Sequence, residues 1–440
     1  MLPRRFSRRL AAVATAALLF LLYHLYTLQA GLQPPPSRQL SSTTEPRYTG
    51  EPNTVCPPLP GVEDVLVVMK TGVTESQDKV PVHFTTTLRC IPNYIIVSDF
   101  DEEIEGVKIR DVLHNMDSEV RDRVQDFDIY NRIRQQGRKG LGGNDFSDVA
   151  NSAIGKPNNP GWKLDKWKFL PMAQEALRTK PDAKWFIFME ADTYVSWTTA
   201  LAWLSHYDAS KPHYLGTETQ IADVIFAHGG SGFALSNPAL TRAVGSYTSN
   251  TKEWHDYTDF HWAGDCVLGK VLFDAGINLE FSWPILQNSN LGELSEFSKG
   301  FYREPWCFPS MALHHLTPAE IKNLWEFESK RWRKNKHTLL HSDLFREYLY
   351  PEIATQPTRL DWDNSAEDDQ PFATSFEDCR EVCEAQKDCV QFVFKGGSCY
   401  TSGNPRLGAK ASDAVSGWLT TRIREMMDNK GLCSAPDWGV

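Results

Sequence analysis

Glu190 and Asp192 carry the clearest chemical signal in the sequence: two carboxylates at i and i+2, directly after the apolar run 185–189. In a continuing strand, side chains at i and i+2 share one side. Two acids so placed could hold a hard divalent cation through oxygen ligands. Such a cation could bridge a diphosphate and stabilise charge on a departing nucleotide. A solvated strand-end turn would use the same residues, so the surrounding pattern has to decide. Asp265 opens a helical stretch, where an acid is also a favoured cap. His314 and His315 stand together ahead of another helix. Gly229-Gly230-Ser231-Gly232 permits either a tight turn or close approach of backbone to a ligand. Lys166 and Lys168 lie on the helix before the acidic strand and could meet phosphate or face solvent.

The elements that must position these residues can be read from periodicity. Runs 65–69, 94–97 and 185–189 are short and wholly apolar, as buried parallel strands are. Further strands are expected near 213–216 and 221–227. Helices are expected over 118–135, 164–178, 198–206, after Pro238, over 265–275 and over 317–334. Strands alternating with helices argue for an α/β sheet sandwiched by helices, mostly parallel. In such sheets ligands bind outside the carboxyl ends of the strands, where Glu190 and Asp192 fall.

Composition narrows the class. The chain has 440 residues, 41% hydrophobic and 23% charged, which excludes a mainly disordered chain and a polytopic membrane protein. A formal charge of −10 offers no basic footprint, so nucleic acid is not an expected partner. Among the 14 tryptophans, Trp254, Trp262, Trp283 and Trp306 flank the candidate residues. Each could stack on a sugar, although core packing is the commoner use.

The N-terminus sets the compartment. Arg4, Arg5, Arg8 and Arg9 precede an apolar run at 10–28 that is long enough to cross a bilayer as a helix. The basic flank should stay cytosolic, leaving the rest lumenal. A cleaved signal peptide ending near Leu28-Gln29-Ala30 is the rival reading. Residues 29–60, with Pro34-Pro35-Pro36 and Ser41-Ser42-Thr43-Thr44, read as a stem. Nine cysteines suit an oxidising compartment, and the odd total leaves at least one unpaired within the chain. Cys379, Cys383, Cys389 and Cys399 cluster in a small unit whose pairing the sequence leaves open among three connectivities.

Four separated motifs carry a resemblance. They are Thr71-Gly72 with Leu88-Arg89-Cys90 and Ser98-Asp99; 185–195; Gly229-Gly230-Ser231-Gly232-Phe233-Ala234-Leu235-Ser236; and Gly264-Asp265-Cys266-Val267-Leu268-Gly269. In this order they make residues 61–345 resemble the family 31 glycosyltransferases, the group of Fringe and the core β-1,3-galactosyltransferases. The similarity is nearest to fungal members with a PAN/Apple-like tail, and residues 360–422 resemble that module. The resemblance implies a GT-A fold and an inverting transfer from a UDP-sugar with bound manganese. Asp192 would be the main metal ligand, and Glu190 would hold the metal through water or touch the nucleotide sugar. Ala191 replaces the family's middle acid. His314 would be the second metal ligand, with His315 its rival in register.

Asp265 would be the base that deprotonates the acceptor hydroxyl, and Gly264 replaces the acid that usually precedes it. Nucleotide-sugar contacts would come from Thr71, Asp99, Lys168, Glu190, Ala191, Asp192, Gly230, Ser231 and Gly232. In the tail the resemblance implies Cys379–Cys399 and Cys383–Cys389 disulfides. The expected organisation is a cytosolic tail at 1–9, an anchor at 10–28, a stem at 29–60, a GT-A domain at 61–350, a PAN/Apple-like domain at 357–424 and a tail at 425–440. The expected setting is the Golgi membrane as a single-pass type II protein, or else secretion. The expected partners are a UDP-sugar donor and a glycan or glycoprotein acceptor. A catalytically inactive, carbohydrate-binding relative is the main alternative, and a metal-dependent hydrolase using the same carboxylates is another.

Overall fold

A computed structural model describes residues 56–146, 159–334, 336 and 338–439. The expected anchor and most of the stem lie outside the described residues. Among those described, no helix is long and apolar enough to cross a membrane.

The apolar runs form the centre of an eight-stranded sheet. Strand β1 (Val65–Lys70) lies between β2 (Tyr94–Ser98) and β5 (Trp185–Glu190), parallel to both. Beyond β2 come β4 (Val107–Asp111) and the edge strand β3 (Glu102–Ile104). Beyond β5 come β10 (Phe233–Ser236), β7 (Tyr214–Gly216) and β11 (Glu280–Phe281). All six residues of β1 are buried, because helices cover both faces. One face packs Val65, Val67, Met69 and Ile187; the other packs Leu66, Val68, Phe186 and Phe188 against the helix α1 (Phe169–Thr179).

The sheet is mixed but mostly parallel, as expected: six of its eight strands run one way, and β10 and β3 run the other. Strand β10 runs antiparallel to both β5 and β7, and β3 antiparallel to β4. The cause lies between β7 and β10. The hairpin of β8 (Glu218–Ile221) and β9 (Val224–Ala227) occupies that stretch and returns the chain to the end it left. A parallel return would need a crossover of a dozen or more residues. The expected helix over 118–135 is also broken. Val124, β-branched, is extended at φ −93° and ψ 120°, and separate helices Ser118–Arg123 and Asp128–Gln136 flank the break.

Two antiparallel residues per strand, β6 (Tyr194–Val195) and β12 (Ala312–Leu313), form a separate short ladder beside the β5 end. Helix α2 (Gly264–Asp274) packs behind β9, and α3 (Pro318–Trp332) starts with a Thr317/Glu320 capping box and Pro318 in its first turn. From Thr358 the chain builds a five-stranded antiparallel sheet covered by α4 (Phe376–Ala385). Cys379 pairs with Cys399 and Cys383 with Cys389. The last helix, α5 (Thr420–Lys430), buries Ile423 and Met427 against Leu344 and Phe345. Cys433 is bonded to Cys307, and Cys56 to Cys90, which leaves Cys266 as the free, buried thiol.

Candidate active site

The site forms at the carboxyl ends of β1 and β5. Parallel pairing sets Lys70 level with Glu190, and Lys70 Nζ lies 3.0 Å from Glu190 Oε1. The same ammonium is bonded to Asp165. Asp165 in turn meets Lys168 at 3.1 Å, and Lys168 meets Asp99 at 3.2 Å and donates to Thr71 O at 2.7 Å. Glu190, Lys70, Asp165, Lys168 and Asp99 thus alternate in sign across the floor of the site. Burial alone would favour neutral lysines, but the flanking carboxylates outweigh it and hold Lys70 and Lys168 above the ordinary lysine range. Lys168 was expected to touch a nucleotide; here it is 1% exposed and engaged by protein groups. Lys70 and Asp165 did not stand out in the sequence. The available signal was a lysine ending an otherwise apolar strand.

The β6–β12 ladder brings the next pair together. Asp192 precedes β6 and His314 follows β12, so antiparallel pairing puts both at one end. Leu316 N donates to Asp192 O at 3.0 Å and closes the corner. His314 Nε2 lies 3.2 Å from Asp192 Oδ1 and 3.9 Å from Glu190 Oε2. The His315 ring lies against that of His314, with centroids 3.8 Å apart. Asp192, His314 and His315 each offer a ligand atom, all within 4.8 Å of one another. Both histidines of the rival pair therefore reach the aspartate, whereas Glu190 stands at the edge, held by Lys70.

The ladder itself rests on a buried acid. Glu328, from α3, accepts hydrogen bonds from Tyr194 in β6 and from Ser196 just after it. Burial pushes its carboxyl up to about 7 against the pull of those two donors.

Two observations test whether this group fits a cation. Asp192 Oδ1 is buried without a hydrogen-bond partner, although His314 Nε2 is beside it. Buried polar atoms in that state call for an explanation, and a bound ion is one. His314 Nδ1 lies 3.1 Å from Asn288 Oδ1; a proton donated there leaves the Nε2 lone pair free to ligate. A carboxylate with two imidazoles suits a first-row divalent cation. Burial would raise the Asp192 carboxyl, but His314 and Lys79, whose Nζ is 3.0 Å away, hold it well below the usual range. Thr71 Oγ1 is likewise buried without a hydrogen-bond partner, whereas Asp99 Oδ2 is buried against Lys168 Nζ.

Asp265 lies in the first turn of α2, and its carboxylate accepts from Gly229 N and from its own neighbour Cys266 N, both at 2.9 Å. Burial raises it to about 6; the two N–H donors and Lys70 oppose this, while Glu190 adds to it. The glycine run lies between the two halves of the site. Gly229 N meets Asp265, and the next residue, Gly230, packs on the His314 ring: a Cβ there would fall 2.0 Å from Cε1. Gly232 adopts φ +77° to turn into β10. Ser231 is buried on His228, donating its N–H to Nδ1 at 3.1 Å. Ala191 is buried, and its carbonyl lies 2.9 Å from His83 Nε2. No side chain fits at Gly264, where a Cβ would meet Phe169 at 2.4 Å and the Lys166 backbone at 2.6 Å. Close packing thus explains why a single carboxylate opens the helix.

Of the four flanking tryptophans, Trp254 and Trp306 are buried, and Trp283 lies under the Gly300 turn and beside Phe301. Trp262 is 45% exposed.

Residues 167–304 match the family model described as Fringe-like. The matched span contains Lys168, Glu190, Asp192, the glycine run and Asp265; it stops before His314. No curated protein matches the chain. The match supports a glycosyltransferase-type domain, and the mixed sheet with its helical layers is consistent with a GT-A-like fold.

Proposed function

We propose that the protein is an inverting glycosyltransferase that moves a hexose or N-acetylhexosamine from a UDP-sugar to a glycan or glycoprotein acceptor. The observation that carries this reading is the convergence of Asp192, His314 and His315 at the β5 end, one glycine peptide away from the carboxylate of Asp265. Asp192 and His314, with His315, would hold a divalent cation such as manganese. Its chemistry is to stabilise negative charge gathering on a departing diphosphate.

The protein's own groups supply the rest. Asp265 takes the proton of the acceptor hydroxyl as its oxygen bonds to the anomeric carbon. The bond from that carbon to the diphosphate oxygen breaks, and its electron pair leaves with UDP. Attack opposite the leaving group inverts the anomeric centre and gives a β-linkage from an α-linked donor, by family resemblance at a 3-hydroxyl. A base near 6 is matched to this task, being ionised at neutral pH yet able to accept a proton. Lys70 and Asp165 keep Glu190 and Lys168 in place on the floor, where Thr71, Asp99 and the backbone at 230–232 would meet the nucleotide sugar. The tail from Thr358 would act as a PAN/Apple-like carbohydrate- or protein-binding module. The chain would work from the lumenal side of the Golgi membrane.

The test is transfer itself. The full chain is incubated with a panel of UDP-sugars, manganese and glycan acceptors, and the anomeric configuration of the product is read by NMR. A β-linked product from an α-linked donor is expected. Glycan binding without transfer from any donor would favour an inactive carbohydrate-binding relative.

A further inference from the structure

The end of the helix Thr251–Phe260 and the short loop from it to Asp265 expose an aromatic lip that the transfer chemistry does not use. Phe260 is 88% exposed and Trp262 45% exposed, with only Ala263 and Gly264 between Trp262 and the candidate base. The Trp262 ring is not loose. It stacks on Trp162 with centroids 6.1 Å apart and planes 25° apart, so one face is backed and the ring is half open to solvent.

The loop backbone is fixed as well. Lys166 Nζ donates to the carbonyls of Asp259 at 3.2 Å and His261 at 2.8 Å, on both sides of Phe260. Gly264 is wedged against Phe169 and Lys166. A polar edge completes the lip: Asp259 pairs with Arg123 at 2.8 Å, and both remain partly exposed.

We infer that Trp262, backed by Trp162, is a stacking platform for a pyranose ring of the acceptor saccharide. The acceptor role rests on the transferase reading above. The base must touch the acceptor hydroxyl, so the acceptor occupies the space beside Asp265. Three residues of chain reach at most about 10 Å between Cα atoms, roughly two pyranose rings, so the backbone of Trp262 lies within that distance of the backbone of the base. An aromatic face presents the negative side of its quadrupole and a large apolar area, which suits the polarised C–H bonds on the flat side of a neutral sugar. The hydroxyl groups at the sugar's edge then find Asp259 and Arg123, the usual pairing of apolar wall and few polar groups in a ligand site. A platform held rigid before binding loses little freedom when the sugar arrives. The occupant is a saccharide, because on the transferase reading the group beside Asp265 is an acceptor sugar, and the exposed ring offers it a flat apolar face.

The test uses the full chain on a glycan array with UDP and manganese, beside a peptide array. Trp262→Ala, Trp262→Phe and Phe273→Ala are compared, Phe273 being an exposed aromatic that the mechanism does not use. Thermal stabilisation by UDP with manganese is measured in parallel for each protein. The expected result is at least a tenfold loss of glycan retention in Trp262→Ala, partial recovery in Trp262→Phe, none lost in Phe273→Ala, and an unchanged UDP shift. Equal glycan retention by Trp262→Ala and wild type overturns the proposal. So does a wild-type protein that retains peptides and no glycans, or nothing on either array. Should wild type show no UDP shift while Trp262→Ala still loses glycan, the transferase reading fails and the platform stands as a lectin-like site. Trp262→Phe keeps an aromatic ring and guards against a fold defect in the alanine variant.

Discussion

Gly230 lies flat against the imidazole of His314, so close that a methyl group at 230 would fall 2.0 Å from the ring. The residue before it donates its N–H to Asp265. One dipeptide therefore sets both the candidate metal ligand and the candidate base. Gly230→Ala should displace His314 and weaken divalent-cation binding by about 10–100-fold, the usual cost of losing an outer-shell support. Isothermal titration with manganese in the presence of UDP reads this directly.

Asp265 gives the expected pH dependence its sign. A base acts when ionised, and this carboxyl is raised to about 6. Transfer under kcat/KM conditions should be flat above about pH 7 and fall roughly tenfold per unit well below 6. Asp265→Asn should lose about 10²–10⁴ in rate at neutral pH while still binding UDP.

Asp165 is held by two buried lysines, Lys70 and Lys168, and its carboxyl lies below the usual range because they outweigh its burial. Asp165→Asn leaves them short of a counter-charge and should cost about 3–5 kcal/mol of stability. Adding Lys168→Met should recover part of that loss, since the two residues act as a pair. Urea unfolding of the single and double variants measures it.

Glu328 should make stability fall as pH rises. Its ordinary carboxyl value is 4.5 and burial lifts it to about 7 in the folded chain. Between those values the folded state binds the extra proton, so the difference ν_U − ν_N is negative and stability declines with pH. The decline approaches about 1.4 kcal/mol per pH unit within that window. Glu328→Gln should remove that part of the slope, as seen in melting midpoints from pH 4.5 to 7.5.

Much of this arrangement can be read in the residues, and the unread part has a physical cause. Three all-apolar runs announced β1, β2 and β5, because strands buried on both faces have no polar alternation. Glu190 and Asp192 stood out because acids directly after such a strand are unusual. The reversal of β10 was not legible: it looks as apolar as β5, and its direction depends on a hairpin that consumes the connection. The charged floor was hidden for another reason. Lys70 and Asp165 are 95 residues apart, and nothing local marks them as partners. His315 was a rival to His314 in register, yet both reach Asp192, since a left-handed backbone at His315 (φ +56°) turns the chain there.

The central claim is that Asp192 and His314 hold a divalent cation that ties a nucleotide to this site. The most direct measurement is manganese binding by the full chain with UDP, for wild type, Asp192→Asn and His314→Ala, each checked for folding by its own melting curve. The account predicts one manganese per chain in wild type, bound more tightly with UDP, and a loss of at least tenfold in either variant. Equal manganese affinity in all three folded proteins, or UDP binding indifferent to manganese, would contradict it.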